Sequence, residues 1–278
     1  MEAAQAAFAA EVEAYETGLF RGSWEEVGEL LSAVSDALAQ LDTLGGPLSF
    51  APIGTPVTVE WLTTPDPRDQ FAGFGESAIE VYLTPLGLTV PRSRLRDAGQ
   101  IAPRLLRDGG GVGQNEAIDV TDKPDGGAVS RVARTRQARS FNQEVFGGTV
   151  EGVSVSRTGE VCAWASLPRD MFGAVVNAAS LSELATPLVA LAARVLGKMT
   201  RDTSIAVVPS VAITGAASVS IGDPRVVGTR SSSQIAMRGP SVITLPGDES
   251  AVLSAVISGA RDVGVELGAR IEQALGAR

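Results

Sequence analysis

The sequence predicts an α+β fold: an antiparallel or mixed sheet covered by amphipathic helices, preceded by an N-terminal helical hairpin. Three observations lead there. β-rich runs in the second half follow one another without regular β-α-β alternation. The helical segments carry their apolar residues on a single stripe. Apolar residues make up 44% of the chain but aromatics only 5%, so the core is expected to be built from Val, Leu, Ile and Ala.

Residues 2–17 are rich in Ala and Glu and free of Gly and Pro, which reads as a helix. Gly18 and Gly22 bracket a break, after which Ser23 and Glu26 form a capping-box pair. The second helix then places Trp24, Val27, Leu31, Val34, Leu38 and Leu41 at alternating steps of three and four, up to Gly45-Gly46-Pro47. Two readings of this seam stand. It packs within an αα-hairpin of its own chain, or it receives a partner helix, including that of a second copy.

Residues 47–90 hold two β-rich runs, Val57–Leu62 and Ala78–Leu83, with a Pro- and Phe-containing loop between them. A short helix is expected over 91–107, rich in arginine and interrupted near its end by Pro103. Residues 108–149 read as the least structured stretch, either a functional or mobile loop or one that holds a strand without a clear sequence signal, and as a candidate boundary. Val150–Ser156 and Glu160–Ala165 form a hairpin around Arg157-Thr158-Gly159. Ser180 with Glu183 opens a helix to about Gly197, strand-like runs follow at 204–214, 217–221 and 241–245, and Asp248 caps a closing helix. The expected organisation is thus an acidic hairpin (1–46), a smaller α+β region (47–149) and an α+β domain (150–278).

Charge is segregated along the chain. The net charge of −9 resides in residues 1–60, which hold ten acidic side chains and only Arg21; the remainder balances to zero. The densest positive segment is Arg131, Arg134, Arg136 and Arg139, four guanidinium groups within nine residues, followed by Phe141. Such a segment clamps the phosphates of a nucleotide or nucleic acid, or pairs with acidic neighbours such as the N-terminal helices.

The chain contains no histidine, which removes Ser-His-Asp and Cys-His triads and every His-based metal site. Gly109-Gly-Gly-Val-Gly113 lacks the Lys and Ser/Thr of a phosphate-binding loop, so it reads as a plain loop. Asp119, Asp122 and Asp125 stand three apart, whereas calcium loops alternate ligands at every second position. Ser231-Ser232-Ser233 has no base beside it in sequence. Cys162, the one cysteine, falls in an apolar strand and reads as a buried thiol. No catalytic residue, metal or cofactor is assigned on these grounds. The acidic start is unlike a signal peptide, and the apolar run Leu181–Leu196, holding Glu183, Pro187 and Arg194, is shorter than a membrane span. A cytoplasmic setting without membrane contact is expected.

Ile79-Glu-Val-Tyr-Leu-Thr-Pro85, the hairpin from Val153 to Val161, the helix after Ser180 and the strand Val242-Ile-Thr-Leu-Pro246 follow one another in a recognisable order. From about Ala78 to Leu275 this order resembles the C-terminal accessory region of bacterial Schlafen/Alba-type DNA-binding proteins. The acidic, Gly-Gly-containing core that precedes the region in that family has no counterpart here. The resemblance therefore implies an accessory module alone and carries over no catalytic residue. Taken together, the expected function is a non-enzymatic binding or regulatory module that engages a protein partner or a second copy through its N-terminal helices. The alternative is a nucleic-acid- or phosphate-binding protein using Arg131–Arg139.

Overall fold

The computed structural model describes residues 48–55, 57–61, 77–88, 90, 92–108, 117–121, 128–136, 149–170, 173–222 and 241–277. The expected N-terminal hairpin, with Trp24, Val27, Leu31, Val34, Leu38 and Leu41, lies outside them. The fold is α+β. Its elements are β1 (Ala51–Pro52), β2 (Ala78–Pro85), α1 (Arg92–Asp108), β3 (Ala117–Thr121), β4 (Ala128–Arg136), β5 (Thr149–Ser156), β6 (Val161–Ser166), β7 (Arg169–Asp170), β8 (Gly173–Val176), α2 (Ala178–Thr200), β9 (Ala206–Thr214), β10 (Val219–Ile221), β11 (Val242–Leu245), β12 (Glu249–Val252), α3 (Leu253–Ser258) and α4 (Ala260–Gly276).

Nine strands form one sheet in the order β1-β12-β9-β2-β6-β5-β4-β3, with β11 also paired to β9, and every pairing is antiparallel. A small sheet of order β10-β8-β7 lies apart from it, with β8 and β10 parallel. β2 lies between β6 and β9, so strands from both sides of residue 150 belong to one sheet. Its alternation explains that place. Ile79, Val81 and Leu83 face the helical layer, and Glu80, Tyr82 and Thr84 face the other way, all of them buried.

One face of the sheet is packed against α1, α2 and α4. α2 lies over β2 and β6 and buries Leu181, Ala185, Leu188, Val189, Ala192 and Leu196, among others. At 23 residues it is longer than the run expected from sequence, and by length and composition it is apolar enough to cross a membrane. Its packing accounts for that composition, since one face meets the sheet and another meets α4. The helix begins at Asn177, three residues before the expected cap. Asn177 Oδ1 accepts from Ser180 N at 2.8 Å, and Ser180 Oγ accepts from Asn177 N at 2.9 Å. Ser180 therefore occupies the N3 position of the capping box rather than the cap itself.

Two glycines set the distance between α2 and α4. A β-carbon at Gly264 would lie 2.5 Å from Thr186 Oγ1 and 2.7 Å from its backbone nitrogen; at Gly268 it would lie 2.6 Å from Ser182 Oγ. Four residues apart, they share one face of α4 and let the two backbones close. Glu272 adds a polar tie, accepting from the N–H of Ala178 at the start of α2 at 2.9 Å.

Other expectations are corrected. Val57–Leu62 forms no strand over its described residues 57–61. Of the readings left open for 108–149, the one with a strand holds, since the stretch contains β3 and β4. α1 runs through Pro103 to Asp108, losing only the donor that Gly99 would have met. Asp248 does not cap a helix. β12 follows it first, pairing with β9, and the helical segment after β12 divides at Gly259. β11 and β12 share one edge of β9, and the break between them falls opposite Pro209. There Gly247 N donates to Ser210 Oγ at 2.8 Å, and a β-carbon at Gly247 would meet Pro209 O at 2.3 Å. A proline inside a central strand is tolerated because its missing donor falls at this interruption.

Gly264→Val is expected to destabilise the chain by about 1–3 kcal/mol in urea denaturation, because Thr186 backbone cannot yield. Val265→Ala, at a neighbouring position 50% exposed, is the control. It is expected to stay within about 0.5 kcal/mol of wild type.

Candidate functional site

The sheet face turned away from the helices is where the chain concentrates its buried polar groups. β2 contributes Glu80, Tyr82 and Thr84, β5 Ser154, and β9 Ser210; Glu160 precedes β6. Cross-strand register places Tyr82 opposite Cys162 and Glu80 opposite Trp164. Gly152, opposite Trp164 on the other side, is required: a β-carbon there would fall 2.1 Å from the indole. Residues 57–61 pass over this face as a strap, turned at Glu60, where Trp61 N donates to Val59 O at 3.0 Å. Val59 and Trp61 join Tyr82, Cys162, Trp164 and Ala212 in a second apolar cluster, and Trp61 meets Tyr82 edge-on with ring centres 5.0 Å apart.

Glu160 fastens the strap to the sheet. Its Oε1 accepts from Glu60 N at 3.1 Å and its Oε2 from the Thr84 hydroxyl at 2.6 Å. The hairpin itself holds Glu160, since its N–H donates to Ser156 Oγ and its carbonyl accepts from Ser156 N. Burial raises the carboxyl pKa from 4.5 to about 7; the Thr84 and Glu60 N–H bonds oppose that rise, and the Glu60 charge adds to it. Glu80 takes a hydrogen bond from Tyr82 within the same face. None of these groups stands at a catalytic spacing along the sequence. The signal was nevertheless present: Glu80, Tyr82 and Thr84 alternate with Ile79, Val81 and Leu83, as expected of a strand with two different buried faces.

The arginines singled out from sequence are divided by the fold. Arg131, Arg134 and Arg136 fall on β4, and Arg139 lies outside the described residues. Position 131 pairs with Ser154, on the strap-side face. Positions 134 and 136 pair with Glu151 and Thr149, on the face that carries Val153 and Val155 beneath the helices. The strand thus separates Arg131 from the other two and places an acidic residue directly opposite Arg134. Asp119 falls on β3, while Asp122, Asp125, the glycine run and the serine run lie outside the described residues. Cys162 is buried on β6.

Two arginine environments stand in contrast. Arg270 on α4 is surrounded by carboxylates: Asp248 at 2.9 Å, Glu266 at 2.9 Å and Glu249 at 3.6 Å. That pairing holds Asp248 below the usual carboxylate range and ties α4 to the β11–β12 turn. On α1, Leu95, Ala98, Ala102, Leu105 and Leu106 are buried, whereas Arg96, Gln100 and Arg104 form the exposed stripe. Among the described residues, Arg94, Arg96 and Arg104 enter no ion pair. No protein-family model, curated protein or solved structure matches the chain.

The Glu160 geometry fixes the sign of a pH effect. Between pH 4.5 and about 7 the folded chain retains a proton that the unfolded chain has released. The stabilisation is therefore complete below that range and lost as pH rises through it. Glu160→Gln is uncharged throughout. It is expected to match wild type near pH 4 and to exceed it at pH 8 by up to about 3 kcal/mol in urea denaturation. Parallel stability profiles for the two proteins would contradict the assignment.

Proposed function

We propose that the chain is a non-enzymatic binding or regulatory module of the bacterial cytoplasm that assembles with a protein partner or with a second copy. The observation that carries this reading is the contrast between spent and unspent charge. The buried carboxylates of the strap-side face are engaged in holding strands together, and Arg270 is neutralised by three carboxylates. α1 presents Arg96 and Arg104 outward from a helix anchored by five apolar residues, with no ion-pair partner for either among the described residues. Unpaired cations on a rigid helix favour the capture of an acidic surface. The heptad-spaced stripe Trp24, Val27, Leu31, Val34, Leu38 and Leu41 supplies an apolar seam for the same purpose.

A second reading, binding of nucleic acid or phosphate through Arg131–Arg139, is supported by the occurrence of three of these arginines within one nine-residue strand. The register places position 131 on one face of the strand and positions 134 and 136 on the other, so these three do not form one phosphate track. This makes it the weaker of the two.

Light scattering tests the first reading. The wild-type chain is expected to form an oligomer whose mass falls when Leu31→Glu and Leu38→Glu are introduced together. An unchanged mass in a folded double variant would rule the seam out as the interface. Oligonucleotide retention tests the second: Arg134→Ala with Arg136→Ala should weaken binding and flatten its salt dependence by about one charge per lost phosphate contact.

A further inference from the structure

α1 carries five arginines, Arg92, Arg94, Arg96, Arg104 and Arg107, against Asp97 and Asp108. Its first turn has no acidic residue, and Arg92 and Arg94 stand at the positive end of the helix dipole. That placement disfavours the isolated helix. The helix does not use these charges for its own stability, nor does the rest of the fold, since Arg94, Arg96 and Arg104 have no ion pair among the described residues. Ser93, Arg96, Gln100 and Arg104 follow steps of three, four and four along the side opposite Leu95, Ala98, Ala102 and Leu105, and all four are exposed. The result is a polar stripe about 17 Å long with Arg96 and Arg104 as its charges.

The same chain holds a complementary charge. Residues 1–47 contain nine acidic side chains (Glu2, Glu11, Glu13, Glu16, Glu25, Glu26, Glu29, Asp36 and Asp42) and one arginine. Where this segment joins the described fold is informative. Leu48 packs at Gly259, between α3 and α4, and β1 follows at the edge of the sheet. α1 lies over β4 and β5, toward the opposite edge. From β1 to β4 are six strand spacings, roughly 29 Å across the sheet. The acidic segment therefore joins the described fold on the side remote from the basic stripe, and among the described residues Arg96 and Arg104 of that stripe enter no ion pair.

We infer that the outer stripe of α1 is the docking surface for the acidic N-terminal segment of a second copy, Arg96 and Arg104 being its central contacts. In a two-fold dimer each copy gives its acidic segment and receives its partner's, so both contacts form and the assembly closes. This inference rests on the self-association proposed above and adds the partner surface and its chemistry. Individual surface ion pairs contribute little, so the contact depends on several charges acting together and on ionic strength.

The test uses the full chain and sedimentation equilibrium. Wild type is expected to dimerise at about 50 mM salt and to associate at least roughly ten-fold more weakly at about 500 mM. Arg96→Glu with Arg104→Glu should be a folded monomer at low salt, and so should the triple variant E25R, E26R, E29R. An equimolar mixture of the two is expected to restore the dimer, because each reversed surface then meets its complement. A wild-type monomer at low salt would overturn both this inference and the self-association reading. Salt-insensitive assembly, unaffected by Arg96→Glu with Arg104→Glu but lost in Leu31→Glu with Leu38→Glu, would overturn this inference and leave the seam standing. Failure of the mixture to dimerise would also overturn it. So would an unchanged mass accompanied by loss of oligonucleotide retention in the Arg96 and Arg104 variant, which would assign the stripe to nucleic acid.

Discussion

A strand buried on both faces imposes the condition that organises this molecule. β2 is paired along its length with β6 and β9, covered by helices on one side and by residues 57–61 on the other. Apolar side chains meet the helical side. On the other side the strand presents Glu80, Tyr82 and Thr84, each of which must find a hydrogen-bond partner away from water. Tyr82 meets Glu80, and Thr84 meets Glu160. Glu160 then reaches the backbone of the strap, so the polar content of one strand determines how the next layer is attached.

The same logic separates internal from external chemistry. A carboxyl held at a pKa of about 7 in an open cleft would invite a general acid–base reading. Glu160 is only 3% exposed, and its two oxygens are used by Thr84 and the Glu60 backbone. Its proton couples the strap to pH and offers no open face to a substrate. Surface charge is where the chain keeps unspent interaction energy, and that charge is arranged unevenly: a closed cluster at Arg270, an open stripe on α1 and an acidic segment at the start of the chain.

Regular alternation and clear turn chemistry were legible in the sequence. The hairpin β5–β6 and the core strand β2 follow from both, and the apolar stripe of α2 follows from helical spacing. Elements with competing local signals were harder to read. Asn177 and Ser180 both suit a helix start, and only the tertiary position of Glu272 adds weight to the earlier one. Glu249-Ser-Ala-Val252 after Asp248 has the composition of a helix start, yet the free edge of β9 recruits it as β12. β3 and β4 were obscured because Arg131, Arg134 and Arg136 interrupt any apolar alternation. The strap-side site escaped notice for a different reason. Its members are separated by up to 100 residues, as Glu60 and Glu160 are, and pairing alone brings them together. The arginine stripe of α1 was visible as composition, but that Arg96 and Arg104 meet no ion-pair partner among the described residues is a property of the fold.

If β2 joins the two halves of the chain as described, they cannot open independently. Native-state hydrogen exchange measures this directly. The amides of β2, β6 and β9 are expected to exchange only through global unfolding, with one common free energy equal to that from denaturant titration. Earlier exchange of β2, or two distinct free energies for β2 and for the β5–β6 hairpin, would contradict the account.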